Sequence, residues 1–233
     1  MSKIVYTGIE SSGKSLLLSR QADKVRLRNI KWLKITGIPR TMAFNSPMSP
    51  AFIQKIKDSG INYLSYKNLD EILYLEEADI FIDELIKYFP ASGSSSLTNE
   101  QLHFVTQGAK SGIHLWGASQ DFSQVHKQFR LLVNEVYIIK KLIGSRRPMK
   151  TAPPVSKVWG ICSKQKVSPT SFKGDSTSMD EVEGGLSLFL IRRVDVERFD
   201  TSYKIPLTKM PVRKIRKQVE HCDEDGFERV RYI

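Results

Sequence analysis

Residues 8–15 read GIESSGKS, and this stretch constrains the fold more than any other part of the 233-residue chain. Gly8, Gly13, Lys14 and Ser15 match the phosphate-binding pattern G-x-x-x-x-G-K-[ST] without a mismatch. A run of β-branched and aromatic residues, KIVYTG, ends at Gly8, and KSLLLSRQADK follows with helical spacing and without Gly or Pro. Strand, glycine-rich loop and helix in this order are the context that the motif requires. The sequence therefore predicts a phosphate-binding loop near the start of an α/β domain.

The residue types in this loop suit a nucleoside triphosphate. Inward-pointing backbone N–H groups and the positive end of the following helix would bind phosphate oxygens. Lys14 would act catalytically at the β- and γ-phosphates, and Ser15 would offer its hydroxyl to Mg²⁺. Glu10 fits because the middle positions contribute their backbones, and its side chain either meets solvent or contacts a neighbouring subunit. The predicted nucleotide-binding residues are those of the loop and the first helical turn: Gly8, Ile9, Glu10, Ser11, Ser12, Gly13, Lys14, Ser15 and Leu16.

A pair of carboxylates follows a short apolar run later in the chain. Residues 76–89 read EEADIFIDELIKYF, and the apolar residues 80–82 predict a strand that ends at Asp83 and Glu84. Asp83 would join Ser15 in the Mg²⁺ shell, and Glu84 would orient and deprotonate the attacking water. Such a pair favours hydrolysis over transfer to a small acceptor. The alternative is a surface carboxylate pair at the start of a helix, where acids suit the helix dipole.

A third strand with a polar end is predicted after residue 98. Thr98 and Gln101 have the spacing of a capping box, which predicts a helix start, and Gly112 provides a stop. Residues 113–120, IHLWGASQ, then predict a buried strand. In P-loop ATPases with an additional strand, a polar residue at this strand tip senses the γ-phosphate from between the other two motifs. Gln120 fits this catalytic role; the alternative is a strand-end side chain that meets water.

Residues 108–121, GAKSGIHLWGASQD, followed by VHKQFRLLVNEVYII, resemble the FtsK–HerA superfamily of DNA-pumping ATPases. Within that superfamily, the small size, the early P-loop and the trailing basic segment resemble the zonular occludens toxin-like assembly ATPases of filamentous phages. They also resemble the small genome-packaging ATPases of membrane-containing phages. Residues 192–204, RRVDVERFDTSYK, are similar to the segment that closes the toxin-like ATPase domain. The resemblance covers residues 3–145 well and residues 180–205 weakly.

The resemblance implies a basic residue that acts on the ATP of a neighbouring subunit. Many superfamily members place an arginine just before the sensor strand, where this chain has Lys110, and Arg130 is the other candidate catalytic residue. The lysine ammonium group is a point charge and cannot bind phosphate in the bidentate way that an arginine guanidinium does. Toxin-like proteins also usually carry a transmembrane helix after the ATPase domain. No apolar run here approaches the roughly 20 residues needed to span a bilayer, so we expect a soluble protein that is not itself transmembrane.

The segments between and beyond these motifs give weaker patterns. Three prolines within residues 39–50 favour a loop, and Gly and Ser dominate residues 90–96. We predict a strand over 29–37, a loop over 39–50, a helix over 51–60, a strand over 61–66, an amphipathic helix over 68–77, a flexible loop over 90–96, an exposed loop over 168–185 and a strand after it.

Together these patterns predict an α/β fold, a P-loop NTPase of the additional-strand (RecA-like, ASCE) type. Its central, mostly parallel sheet would carry helices on both faces. We predict an ATPase domain over residues 1–205, with a core over 1–145 and a C-terminal β extension over 150–205 that adds edge strands. Residues 206–233 are expected to form a basic, charged tail.

The chain carries a formal charge of +11, which favours polyanionic partners such as nucleic acid or an anionic membrane surface. Two basic clusters would follow a phosphate backbone without reading bases, because no interleaved aromatics form a stacking platform. The alternative is a solubilising surface. The predicted DNA-binding residues are Arg146, Arg147, Lys150, Arg213, Lys214 and Arg216. Two distant cysteines and four histidines without ligand spacing predict neither a disulfide framework nor a zinc site, as expected in a reducing cytosol.

These features lead to one main hypothesis and two alternatives. The main hypothesis is an oligomeric, ring-forming ATPase that uses ATP and Mg²⁺ for viral DNA packaging or phage assembly. It would work in the host cytoplasm, at the virion or at the assembly site, with DNA and a capsid or membrane-bound phage protein as partners. One alternative is a small-molecule P-loop kinase, for which residues 144–150, GSRRPMK, are the only lid-like stretch. The other is a nucleotide-binding assembly scaffold without motor activity, which the intact Lys14, Asp83 and Glu84 disfavour.

Overall fold

The computed structural model describes most of the N-terminal two thirds of the chain and shorter pieces of the rest. The described residues are 2–91, 98–108, 110–144, 158–169, 182–192, 195, 198, 218–222 and 228–231. The chain divides into two compact units, residues 1–201 and residues 202–233. Within the described part, none of the helices combines the length and the apolar character needed to cross a bilayer.

The first unit alternates strands and helices, as the phosphate-loop motif predicts. Its described strands are β1 (Lys3–Thr7), β2 (Thr41–Phe44), β3 (Asn62–Ser65), β4 (Ala78–Ile82), β5 (His114–Ser119), β6 (Glu135–Gly144), β7 (Val158–Val167) and β8 (Val182–Arg192). Its described α-helices are α1 (Lys14–Thr36), α2 (Pro50–Asp58), α3 (Asn99–Gln107) and α4 (Lys127–Leu131). Short 3-10 turns cover Leu69–Glu71, Leu85–Lys87 and Phe122–Gln124.

All eight strands form one sheet in the order β3-β2-β4-β5-β1-β6-β7-β8. The strands from β3 to β6 are parallel, whereas β7 and β8 add to the edge in antiparallel pairs. The predicted α/β fold of the P-loop NTPases, with extra C-terminal edge strands, is therefore confirmed. β5 is inserted between the strand that enters the phosphate loop and the strand that ends at Asp83, which is the additional-strand order.

The sheet is buried on both faces, so its central strands are apolar throughout. Alternate residues point to opposite sides: Ile80 and Leu115 join one hydrophobic cluster, and Phe81 and Trp116 join the other. On the second side, the ring of Phe81 stacks on Phe44 and Trp116 with centroids 4.7 and 5.1 Å away. α1 and α2 cover this side, while α3 and α4 cover the other.

The predicted strand over residues 29–37 is wrong, because α1 continues through this segment to Thr36. No Gly or Pro interrupts the helix between Lys14 and Thr36. Ala22, Val25 and Asn29 keep the spacing of three and four residues on the buried face. Gly37 ends the helix in the left-handed conformation, with φ of 70° and an N–H that donates to the Leu33 carbonyl at 2.9 Å.

The predicted loop over residues 39–50 is also wrong, because it contains the central strand β2. Its three prolines flank the strand and do not interrupt the hydrogen-bond ladder, and Pro50 opens α2. The amphipathic helix predicted over 68–77 is reduced to the turn Leu69–Glu71. Leu69 and Ile72 are buried three positions apart, a spacing that one 3-10 turn already satisfies.

Other predicted elements are confirmed: the helix and strand over 51–66, the strand before Asp83, the strand over 113–120 and the helix-to-strand sequence after it. Thr98 and Gln101 form the predicted capping box, but α3 ends at Gln107, before the stop predicted at Gly112. Most of the predicted loops over 90–96 and 168–185 lies outside the described residues, and residues 182–185 belong to β8.

In the second unit, Gln218–Cys222 and Glu228–Arg231 form the antiparallel strands β9 and β10. The charge pattern of residues 206–233 had not indicated strands. Their sequences are QVEHC and ERVR, with a single valine in each.

Candidate nucleotide-binding site

The chain turns from β1 into α1 through a tight loop that requires its two glycines. Gly13 has φ of +99°, a conformation that side chains with a Cβ rarely adopt. A Cβ on Gly8 would collide with the backbone carbonyl oxygen of Ile139 on β6. The loop is thus held close against a neighbouring strand at the carboxyl end of β1, the edge where parallel sheets place their ligands.

The side chains in the middle of the loop point away from its concave side. Ile9, Glu10 and Ser11 are exposed, with Ile9 at 78 %. Ser12 is buried, and its Oγ makes no hydrogen bond to any residue that the structure describes. With the side chains of Ile9, Glu10 and Ser11 exposed, the loop backbone is available to a ligand.

Lys14 folds its ammonium group back into the loop. Its Nζ donates to the carbonyl oxygens of Gly8 at 2.7 Å and Ile9 at 2.8 Å. Burial lowers the pKa of Lys14, and the nearby carboxylates of Glu84, Asp83 and Glu10 oppose this shift. The cation lies where a polyphosphate seated in the loop would meet it.

Ser15 and Asp83 meet although 68 positions separate them in the sequence. The hydroxyl of Ser15 is 3.0 Å from both carboxylate oxygens of Asp83, which follows β4. Burial raises the pKa of Asp83, while the hydrogen bond from Ser15 opposes that rise. A hydroxyl and a carboxylate this close are the hard oxygen ligands that Mg²⁺ prefers. Among the described residues there is no cluster of three His, Cys, Asp or Glu.

Glu84 occupies a strained position directly after Asp83. Its backbone is left-handed, with φ of 68°, which costs a residue other than glycine about 1–3 kcal/mol. Its Oε1 is buried and accepts no hydrogen bond from the residues that the structure describes. A buried carboxylate oxygen without a donor is suited to accept a hydrogen bond from a water molecule.

Gln120 follows the last residue of β5, between the other two motifs. Thr7 pairs with Ser119 in the parallel register, so Gln120 lies level with Gly8 at the start of the phosphate loop. On its other side, Ile82 pairs with Gly117. Gln120 is exposed at this edge of the sheet.

Asn45, at the end of β2, belongs to the same site and was missed by the sequence analysis. Its Oδ1 accepts the backbone N–H of Asp83 at 2.7 Å, and its Nδ2 donates to the Asp83 carbonyl at 2.7 Å. This two-way contact fixes the backbone that carries both carboxylates. The residue was overlooked because residues 39–50 were assigned to a loop; a strand assignment would have put Asn45 at a strand end beside Asp83.

The C-terminal strands support the phosphate loop from behind. Cys162 on β7 is fully buried, and its Sγ donates to the Ser12 carbonyl at 3.3 Å. A Cβ on Gly13 would lie 3.2 Å from the same sulfur. Burial raises the pKa of the Cys162 thiol, so it acts as a packing group beneath the loop.

Lys110 and Arg130, the two candidates for the residue that acts on the ATP of a neighbouring subunit, differ in exposure. Lys110 is exposed in the turn before β5, at the amino edge of the sheet and therefore opposite its own phosphate loop. Arg130, in the last turn of α4, is 5 % exposed. The predicted DNA-binding residues Arg146, Arg147, Lys150, Arg213, Lys214 and Arg216 lie outside the described residues.

Comparison with solved structures gives matches to P-loop proteins. The N-terminal domain of zonular occludens toxin from Neisseria meningitidis matches with a TM-score of 0.52 at 17 % identity, over 86 % of this chain and 100 % of that chain. The chain has the fold of a P-loop NTPase. The resemblance to zonular occludens toxin-like proteins inferred from the sequence is confirmed at the level of the fold.

Weaker matches include the flagellar accessory protein FlaH from Methanocaldococcus jannaschii, with a TM-score of 0.46, 13 % identity and coverage of 82 % and 90 % of the two chains. The genome packaging NTPase B204 from Sulfolobus turreted icosahedral virus 2, in complex with AMP, matches with a TM-score of 0.43, 13 % identity and coverage of 82 % and 96 %. No protein family model and no curated protein matches the chain.

Proposed function

We propose that this protein binds and hydrolyses ATP. The observation that carries the proposal is the contact between the Ser15 hydroxyl and the Asp83 carboxylate, 3.0 Å apart at the mouth of the phosphate loop. It joins two motifs distant in sequence at the carboxyl edge of the sheet. A surface carboxylate pair at a helix start would have no reason to meet the loop serine.

Each polar side chain then has a role in hydrolysis. The loop backbone and Lys14 hold the phosphates and neutralise charge on the β- and γ-phosphate oxygens. Glu84 orients a water molecule and accepts its proton through the buried Oε1. Gln120, at the tip of β5, hydrogen-bonds near the γ-phosphate, and Asn45 keeps the Asp83–Glu84 backbone in place.

Ser15 and Asp83 would hold Mg²⁺, with Asn45 fixing Asp83. Bound there, Mg²⁺ supplies positive charge to the β- and γ-phosphate oxygens. The raised pKa of Asp83 follows from burial, and a cation beside the carboxylate favours its charged form.

We further propose that hydrolysis drives the movement or packaging of viral DNA by an oligomer, with ATP bound between subunits. The support is the sequence resemblance over residues 3–145, the toxin-like fold and the formal charge of +11. The basic residues at 146–150 and 213–216 would contact the DNA backbone. The protein would then work in the host cytoplasm or at the assembly site, together with a capsid or membrane-bound phage protein.

ATP hydrolysis by the purified chain, measured with and without DNA, tests both levels of the proposal. Mg²⁺-dependent hydrolysis that rises with DNA supports a motor. The matched control is Lys14→Ala, which should lose ATP binding because the cation at the phosphates is gone. DNA-independent hydrolysis would exclude the DNA motor but keep the ATPase. Near-normal ATP affinity in Lys14→Ala would exclude the assigned phosphate site.

A further inference from the structure

From the middle of α1 to just beyond its C-terminal end, large apolar side chains and lysines are exposed together. We call this surface the basic face, and it consists of Lys24, Leu27, Lys31, Lys34, Ile35 and Ile38. Ile35 is 84 % exposed and Ile38 is 55 % exposed. The sequence contains no Asp or Glu from residue 24 to residue 57, so no acid from this part of the chain offsets the lysines. Leu27, Ile35 and Ile38 thus expose large apolar side chains beside lysines, a combination suited to an interaction surface.

A groove of opposite charge lies on the other side of the sheet. We call it the acidic groove; its lining includes Leu73, Tyr74, Glu76, Glu100, His103 and Phe104. Its volume of about 560 Å³ is within the range of roughly 300–1,000 Å³ typical of binding pockets. Tyr74 is 79 % exposed at its rim, and the lining residues include no Lys or Arg. The groove therefore offers an apolar floor and carboxylates to a basic, apolar partner.

The two surfaces lie at the same edge of the sheet and on opposite faces. α1 covers the cluster that contains Phe81 and Trp116, and its C-terminal half reaches Asp79 at the amino end of β4. The acidic groove lies beside Ile113, just before the amino end of β5, against the cluster that contains Ile80 and Leu115. Copies stacked in one direction would bring the basic face of one chain to the acidic groove of the next.

We infer that the basic face docks into the acidic groove of a second copy of this chain. The inference rests on the oligomeric assembly proposed above and names two surfaces that would add to the subunit contact at the nucleotide. In this contact the lysines would pair with the carboxylates of the groove, and the side chains of Ile35 and Ile38 would be buried against its apolar floor. The charged and the apolar residues of the basic face would both be accommodated. DNA phosphates would pair with the lysines but would leave the apolar side chains exposed. Because the two surfaces differ, the contact is head-to-tail and forms a ring if the rotation closes.

The contact has a consequence for the residue that acts on a neighbouring nucleotide. α1 has 23 residues and is therefore about 34 Å long at 1.5 Å per residue. Its basic face is at the end far from the phosphate loop. Lys110 lies beside the acidic groove of its own chain, so docking would hold it near that far end. The inferred contact therefore disfavours Lys110 as the residue that reaches the neighbour's ATP.

A charge exchange between the two surfaces tests the contact. One full-length variant carries Lys31→Glu and Lys34→Glu, and the other carries Glu76→Lys and Glu100→Lys. Sedimentation velocity with a non-hydrolysable ATP analogue should show self-association of the original protein. Each variant alone should need at least about tenfold higher concentration to associate, because like charges now face each other. An equimolar mixture should associate again, since acid and base then meet at every contact.

The matched control for the Lys31→Glu/Lys34→Glu variant reverses two other exposed lysines, Lys57→Glu and Lys127→Glu, and gives the same change in net charge as that variant. It should associate like the original protein. The inference is overturned if both variants still associate normally, if the mixture does not recover, or if the original protein is monomeric. Binding of a monomeric original protein to phosphatidylglycerol vesicles, lost in the Lys31→Glu/Lys34→Glu variant, would overturn it in favour of a membrane surface.

Nucleotide binding separates this inference from the proposed function. Both exchange variants keep the phosphate loop, Asp83 and Glu84, so each should bind ATP like the original protein. ATP binding without the expected pattern of association would overturn the docking contact alone. Lack of ATP binding by the original protein would overturn the proposed function, whatever its state of association.

Discussion

Glu84 is the residue whose geometry is hardest to explain by folding alone. Its left-handed backbone stores strain, and its buried Oε1 has no donor among the described residues. A structural residue at this position would be expected to relieve at least one of these costs. The proposed role as the base that accepts a proton from water would account for both.

Glu84→Gln should therefore keep ATP affinity and lose hydrolysis. The amide has a similar shape but cannot accept a proton from water, and loss of a general base lowers turnover by about 10²–10⁴-fold. Steady-state hydrolysis and the binding of a fluorescent ATP analogue measure the two effects separately. A fall in turnover of less than about tenfold would rule out Glu84 as the base.

Asn45 positions the Asp83 and Glu84 carboxylates indirectly, through its hydrogen bonds to the Asp83 backbone. Removal of its two 2.7 Å hydrogen bonds in Asn45→Ala should displace both carboxylates without touching the phosphate loop. We expect kcat to fall by roughly 10- to 100-fold with little change in KM, since small misplacements of catalytic groups are costly. A change in KM alone, or in stability alone, would reduce Asn45 to a structural role.

The nucleotide motifs could be predicted from the sequence because each depends on a local pattern next to a short buried strand. The loop at Gly8–Ser15 and the carboxylates at Asp83–Glu84 carry that information in a few adjacent residues. Asn45 could not be found in this way. Its role depends on β2 pairing with β4, a contact between distant segments, and prolines on both sides concealed the strand.

At the scale of elements, Asp79 joins α1 and β4 to the segment before β2. This carboxylate is fully buried and accepts hydrogen bonds from Arg28 at 2.5 Å, Asn29 at 2.6 Å and Arg40 at 3.1 Å. Arg40 is itself 5 % exposed and also donates to Glu77. The end of α1, which the sequence suggested was a strand, is thus fixed to the sheet by partners that only the folded chain brings together.

Asp79→Ala should destabilise the protein by about 3–5 kcal/mol, because it removes the buried carboxylate to which the buried side chains of Asn29 and Arg40 both donate. Urea unfolding followed by circular dichroism measures the change. Asp58→Ala is the matched control: this exposed carboxylate accepts one hydrogen bond from Gln54, and its loss should change stability by no more than about 0.5 kcal/mol. Equal effects of the two substitutions would show that the Asp79 network does not hold α1 to the sheet.

At the scale of the whole molecule, the two proposed sites lie at opposite edges of the sheet. The phosphate loop, Asn45, Asp83 and Gln120 all lie at the carboxyl edge, where parallel strands end. α1 runs from this edge to the amino edge and presents the basic face there. A single long helix would thus connect the proposed nucleotide site with the inferred docking contact.

DNA binding is the property of the whole molecule that the formal charge of +11 suggests. If the basic clusters meet a phosphate backbone, affinity should fall steeply with salt, with a log–log slope of about −0.9 per duplex phosphate neutralised. Neutralisation of Arg146, Arg147 and Lys150 together should make the slope shallower by up to about 3 units, if each meets one phosphate. ATP hydrolysis without DNA should persist, since these residues lie outside the three nucleotide motifs.

The parallel change at Arg213, Lys214 and Arg216 shows whether the C-terminal cluster contributes separately to DNA binding. If neither triple variant alters DNA affinity or its salt dependence, the positive charge serves solubility, and an ATPase that acts on proteins during assembly becomes the better explanation.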